Sequence, residues 1–201
     1  MNNSILYEVH NNLYVNLTNR CPCACVFCLR NTTDHVGNSD SLWLDKEPTV
    51  EEVKRLFEAR DLAKYEEVVF CGFGEPTERL DALLEIAAFV KERYHKPIRL
   101  NTNGLGDLVN GKNIAPLLAG KVDTVSISLN TPNEARYMEN VRPAFGEGSF
   151  AAMLSFAKEC VKYVPKVVLS TVATTLTAEE EARCAEIARS VGAFYRIRPF
   201  E

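Results

Sequence analysis

The sequence predicts an α/β protein built from parallel βαβ units. Six short apolar runs, rich in β-branched and aromatic residues, read as strands at 13–17, 68–71, 98–100, 125–129, 167–172 and 194–197. Amphipathic stretches with recognisable start signals separate them. Regular alternation of the two implies right-handed crossovers and a parallel sheet. Such a sheet is either an open doubly wound layer or part of a barrel, and periodicity does not separate the two. In both, ligands bind at the carboxyl ends of the strands.

The first strand, 13–17, runs through an Asn19-Arg20 turn into a cysteine-rich loop. Thr49 with Glu52 forms a capping-box signature that opens a helix over 50–62. After the second strand, Leu80, Leu83, Leu84, Ala87 and Val90 recur at helical spacing and give one apolar face. A shorter helix is expected at 114–118. Ser149, after the breaker Gly146-Glu147-Gly148, is expected to cap a helix over 150–163. Thr177 and Glu180 repeat the capping box before a helix over 178–191. Two polar segments, 30–48 and 131–148, break the alternation. Both follow strand ends, so each is either an ordinary surface loop or a border of a substrate pocket.

The chain of 201 residues, 46% hydrophobic and 25% charged, has the profile of one soluble domain spanning 1–201 with no accessory domain. That length buries a core without staples. The net charge of -4 with scattered basic residues leaves no footprint for long duplex nucleic acid, although a local patch for RNA or a nucleotide stays open. No signal peptide is visible and no apolar run approaches the ~18 residues of a membrane span. The expected address is therefore cytoplasmic and away from membranes, where thiols stay reduced.

Four of the seven cysteines, Cys21, Cys23, Cys25 and Cys28, fall within eight residues. Cys21, Cys25 and Cys28 have C-x3-C-x2-C spacing, which lets three soft thiolates of one loop reach three irons of a cubane cluster and leaves one iron open. Zinc completed by His35 or His10 is the competing reading. Cys23 is out of register and reads as a bystander. Cys71, Cys160 and Cys184 are isolated, and the last two read as small core residues on helices.

With Phe27 as its aromatic, the run Cys21-Pro-Cys-Ala-Cys-Val-Phe-Cys28 resembles the signature of the radical S-adenosylmethionine (SAM) superfamily. The resemblance implies a [4Fe-4S] cluster on Cys21, Cys25 and Cys28, with SAM chelated to the open iron. Reductive cleavage of SAM would then give a 5′-deoxyadenosyl radical that abstracts hydrogen from substrate. It also implies an electron donor of the flavodoxin or ferredoxin type. Later strand ends extend the likeness. Gly72-Phe73-Gly74-Glu75-Pro76 resembles the family's Gly-Gly-Glu-Pro motif, with Phe73 in place of a glycine, and implies contacts to the methionine ammonium. Asn101-Thr102-Asn103-Gly104 resembles the Thr-Asn-Gly strand end, with Asn101 toward the methionine group. Ser126, Ser128 and Asn130 match a region that contacts the ribose or carboxylate, and Val172 would line the adenine. Arg198-Pro199-Phe200-Glu201 resembles the end that closes over the cofactor.

The likeness covers about 14–201 and implies a partial (β/α)6 barrel, TIM-like and open on one side. The runs 14–21, 28–31 and 72–77 look most like the TatD-associated radical SAM proteins, a group named for its link with TatD-type nucleases. The implied substrate is a nucleotide-related small molecule or a protein. Compact size also resembles glycyl-radical activating enzymes and a small deazapurine-forming enzyme. A non-catalytic zinc-binding or redox-sensing protein is the contrasting class. Arg30, Asn31, Trp43, Arg142 and Arg198 are candidates for the substrate side, where arginines suit a carboxylate or phosphate.

Overall fold

A computed structural model describes residues 4–199 of the chain. The expected closing residues Phe200 and Glu201 lie outside the described residues. Seven strands form one sheet: β1 (Leu6–Val9), β2 (Asn12–Val15), β3 (Val68–Phe70), β4 (Ile98–Thr102), β5 (Thr124–Ser128), β6 (Lys166–Val172) and β7 (Phe194–Arg198). They lie side by side in chain order, so β1 and β7 are the sheet's two edges and the barrel is not closed. From β2 to β7 every neighbouring pair is parallel. This is the open (β/α)6 arrangement; the chain-order strand sequence excludes the doubly wound alternative.

The outer face of the sheet is apolar. Leu13, Val15, Ile98, Leu100, Val125 and Ile127 are buried there in one core with Val53, Phe57, Leu83, Val90 and Phe156. Those partners come from α1 (Val50–Glu58), α2 (Leu80–Tyr94) and, further on, α5 (Ser149–Cys160). Each large side chain fully buried this way contributes about 1.5–3 kcal/mol of transfer free energy. Strand alternation sends the intervening residues to the inner face, and in β4 and β5 these are only half-buried. Both capping boxes form as expected, at Thr49 with Glu52 and, opening α6 (Ala178–Ser190), at Thr177 with Glu180.

Four local differences from the sequence expectation have identifiable causes. β1 was not expected; it pairs antiparallel with β2 through a tight turn at His10–Asn11, with His10 in the left-handed region at φ 52. Segment 131–148 is not a loop, because it contains α4 (Glu134–Val141), capped by the Asn133 side chain accepting from Arg136 N. A short α3 (Gly106–Asn110) follows β4. Ser149 lies inside α5 rather than capping it. Gly148 is the cap residue, and the Ser149 hydroxyl donates to Gly146 O at 2.6 Å.

Candidate functional site

The cysteine loop leaves the carboxyl end of β2 and is braced on two sides. On one side lies the end of α4 and the chain after it. Ala24 N donates to Val141 O at 3.1 Å, Val26 N to Asn140 O at 2.9 Å, and Ala144 N to Pro22 O at 2.7 Å. Cys23 and Pro143 form an isolated antiparallel bridge. Inside the loop, Arg30 Nη2 donates to Cys23 O at 3.0 Å and Asn31 Nδ2 to Cys25 O at 3.1 Å. These two side chains therefore hold the loop's own backbone.

On the other side stands the strand end after β3, and its glycines are there for packing. A Cβ on Gly74 would lie 2.2 Å from Thr18 O and 2.6 Å from Arg20 O, and one on Gly72 would lie 2.1 Å from Asn16 Oδ1. Only glycine lets this turn press against the start of the cysteine loop. Glu75 N then donates to Arg20 O at 2.8 Å.

The Glu75 carboxylate is buried and committed within the protein. Its Oε1 accepts from Thr77 N at 3.1 Å, Thr77 Oγ1 at 2.8 Å and Thr102 Oγ1 at 2.8 Å, and its Oε2 accepts from Asn103 N at 2.7 Å. Burial pushes its pKa up, against those donors. The sequence assigned this carboxylate to the cofactor, whereas the structure gives it the work of tying the end of β3 to the end of β4. Asn103, positioned by that tie, points Nδ2 at Cys23 Sγ (3.6 Å) and Cys21 Sγ (3.9 Å).

The four sulfurs are not equivalent. Cys23 is 4% exposed and sits in the core, whereas Cys21, Cys25 and Cys28 are half-buried. A hydrogen bond from Cys23 lowers the pKa of Cys21 and, equally as the first cause, that of Cys25. Those same neighbours, with burial, push Cys23 strongly up. Burial raises Cys28.

Among the described residues no three His, Cys, Asp or Glu side chains form a group that would hold a metal ion. His35 and His10 form no such group with the cysteines; His35 Nδ1 lies 2.8 Å from Asp34 Oδ1, and His10 sits in the turn before β2, where it lines the same cavity as Cys21 and Cys28. Three soft, half-buried thiols on one loop, with Cys23 turned into the core, fit a cubane that takes each thiolate on a different iron.

Beside the loop a cavity of about 490 Å³ opens into the concave inner face of the sheet. Cys21, Cys28, Gly72, Phe73, Gly74 and Glu75 border it at the strand ends, and Asn101, Ser128 and Arg198 line its wall. Segment 30–48 also borders it, through Val36 and Leu42. That segment is pinned by buried Asn16, whose Nδ2 donates to Leu42 O at 2.7 Å, and by Asn19, whose Nδ2 donates to Leu44 O at 2.8 Å. Phe73 packs with Tyr7 and Leu42, and edge-on against Trp43 with ring centroids 5.1 Å apart. The aromatic that replaces the motif's glycine is thus the anchor of this segment.

Other residues singled out in the sequence lie elsewhere. Phe27 is on the exposed outer side of the cysteine loop. Asn130 follows β5 in the left-handed region at φ 60, outside the cavity lining, with Oδ1 buried and without a hydrogen-bond partner. Arg142 ends α4 and donates from Nε to Glu139 O at 3.2 Å, and Trp43 is 43% exposed. Val172, at the end of β6, is likewise not among the lining residues. Of the five substrate-side candidates, only Arg198 lines the cavity. Sequence reasoning missed the role of Asn16, and gave Asn19 only as part of a turn and Tyr137 only as part of segment 131–148. Tyr137 on α4 is fully buried, its hydroxyl has no partner among the described residues, and burial followed by the nearby Cys23 and Cys25 raises its pKa.

An open barrel of six parallel strands thus carries a loop of four cysteines over a cavity at its strand ends. The chain belongs to the radical SAM superfamily, whose family model matches residues 15–189. Solved structures share the fold. A radical SAM methyltransferase from Sphaerobacter thermophilus is 18% identical with a TM-score of 0.60, over 96% of this chain and 57% of that one. SuiB of Streptococcus suis, solved with S-adenosylmethionine, is 16% identical with a TM-score of 0.64, over 94% and 38%. Methylornithine synthase (PylB) is 17% identical with a TM-score of 0.62, over 94% and 53%. This chain therefore spans about half the length of these proteins or less. No curated protein matches. No helix among the described residues is long and apolar enough to cross a membrane.

Proposed function

We propose that the protein binds a [4Fe-4S] cluster through Cys21, Cys25 and Cys28 and uses S-adenosylmethionine in a radical reaction on a further substrate. The observation that carries this is the cysteine loop itself: three half-buried thiols in the family's spacing, two of them bordering the cavity, and the fourth buried in the core. When bound, the cluster would supply the electron that cleaves SAM to a 5′-deoxyadenosyl radical. The chain's own part is to position. Gly72 and Gly74 present backbone at the cavity edge, Glu75 and Asn103 hold the two strand ends in register, and Ser128, Asn101 and Arg198 offer polar groups from the wall. SuiB bound to S-adenosylmethionine, a fold relative, supports the choice of cosubstrate.

An external electron donor of the flavodoxin or ferredoxin type is part of the proposal. So is placement beside the TatD-associated group, supported by the runs 14–21 and 72–77, with a TatD-type nuclease as a functional neighbour. Anaerobic reconstitution tests the core of it. Iron and sulfide should reach about four per chain, and reduction with SAM should release 5′-deoxyadenosine. Absence of either product of that experiment removes the radical assignment.

A further inference from the structure

The outer face of the sheet carries the apolar core, so the inward-pointing residues decide what the concave side can hold. Here the inner face is polar along most of its width. Register places Tyr14, Val69 and Arg99 in one row across β2, β3 and β4. Asn101 and Ser126 stand opposite each other in the next row. Ser128, Ser170 and Arg196 form the row above that. All of these except Val69 line the same cavity that begins at Cys21 and Cys28.

Several polar atoms of this interior are buried without a hydrogen-bond partner among the described residues: Asn12 Oδ1, Arg99 Nε and Asn101 Oδ1. Leaving each unsatisfied costs about 1–3 kcal/mol. Three such atoms in one cavity indicate a space built to hydrogen-bond a polar guest. The charges give that guest a sign. Of the lining acids, Glu67 is paired with Arg99 Nη2 at 2.9 Å and Glu75 is spent on four donors. The cations Arg196 and Arg198 stand on the opposite wall, at the open edge of the barrel, and Arg196 makes no ion pair among the described residues. A cavity with its acids committed and cations on one wall favours an anion.

Building on the radical SAM assignment, we propose that the substrate is a small polar molecule carrying a phosphate or carboxylate, taken into the barrel interior. Its anionic group faces Arg196, and its body hydrogen-bonds Ser126 and the Arg99 Nε. The cavity is too small for a folded domain, so a protein substrate would enter only as a short segment.

The test uses the anaerobically reconstituted protein and reads its thermal midpoint in sodium phosphate, sodium succinate and glycerol, at ionic strength matched with chloride. At low millimolar concentration, below the range of general salt and cosolvent stabilisation, phosphate or succinate should raise the midpoint over chloride while glycerol does not. A response to phosphate alone identifies a phosphoryl group, and one to succinate alone a carboxylate. Arg196→Gln should abolish the shift and Arg196→Lys should retain part of it. SAM binding, followed by equilibrium dialysis, should stay within about twofold of wild type in Arg196→Gln, well under the tenfold that 1.4 kcal/mol represents. No shift with either anion, or the same shift in Arg196→Gln, overturns the proposal. So does a tenfold loss of SAM affinity in Arg196→Gln, because Arg196 would then be serving the SAM carboxylate. The midpoint shifts do not depend on turnover, so failed 5′-deoxyadenosine release sinks the radical assignment separately.

Discussion

The backbone N–H of Asn103 donates to Glu75 Oε2 at 2.7 Å, which locks the end of β4 to the end of β3 beside the cysteine loop. The same residue then carries its side-chain amide to Cys23 and Cys21. Glu75→Gln replaces an acceptor with an NH2 group in a site where every partner is a donor. It should cost about 1–3 kcal/mol, seen as a lower urea midpoint at unchanged m-value. Iron retained after reconstitution should fall with it. An unchanged midpoint would show that the Glu75 tie does not hold the two strand ends.

Gly74→Ala should be worse tolerated than a surface change, because its Cβ would meet the backbone oxygens of Thr18 at 2.2 Å and Arg20 at 2.6 Å. Backbone cannot swing aside as a side chain can. The strand end must move away from the loop, at a cost of about 1–3 kcal/mol. Hydrogen exchange of Glu75 N, which donates to Arg20 O, reports the separation directly. Protection equal to wild type would show that the turn accommodates the methyl group.

Cys23→Ala and Cys25→Ala should part company. Cys23 lies in the core, so its loss trims packing by about 1 kcal/mol and leaves the three cluster thiols in place. Cys25→Ala removes one of three proposed ligands and should abolish iron incorporation while costing little stability in the cluster-free protein. Iron and sulfide analysis alongside a denaturation curve separates the two. Iron loss in Cys23→Ala with retention in Cys25→Ala would move the ligand register by two residues.

What could be read from the sequence follows from how local each determinant is. The six parallel strands and both capping boxes were legible, since apolar runs and Thr-to-Glu spacing are properties of neighbouring residues. β1 was not, because four residues and a turn without glycine at His10–Asn11 give little signal. α4 was not, because only Tyr137 and Val141 of its eight residues are buried and its place is set by the cysteine loop. The motif glycines were legible as a motif. Their partners, Asn16 and the backbone at Thr18 and Arg20, are brought to them only by tertiary folding.

Glu47 supplies the test in acid. Its Oε1 accepts from Thr18 Oγ1 at 2.6 Å and Arg20 Nε at 2.8 Å, and its Oε2 accepts from Arg79 Nη1 at 2.9 Å, so one carboxylate gathers both ends of the loop's approach. Burial alone would raise its pKa, but the Thr18 bond and the two arginines outweigh that and bring it below its ordinary 4.5. A group whose folded pKa is depressed binds protons more readily in the unfolded chain. Its contribution is therefore complete above about pH 4.5 and disappears as pH falls through the lower folded value. Because the carboxylate is partly exposed, the contribution is screened and should be no more than about 1 kcal/mol. Glu47→Gln should thus be less stable than wild type at pH 7, and the gap should close as the pH drops below the ordinary carboxylate range. Urea midpoints of the two proteins between neutral and strongly acid pH measure it. A gap that stays constant across that range would mean that Glu47 acts through packing and hydrogen bonds alone, with no contribution from its charge.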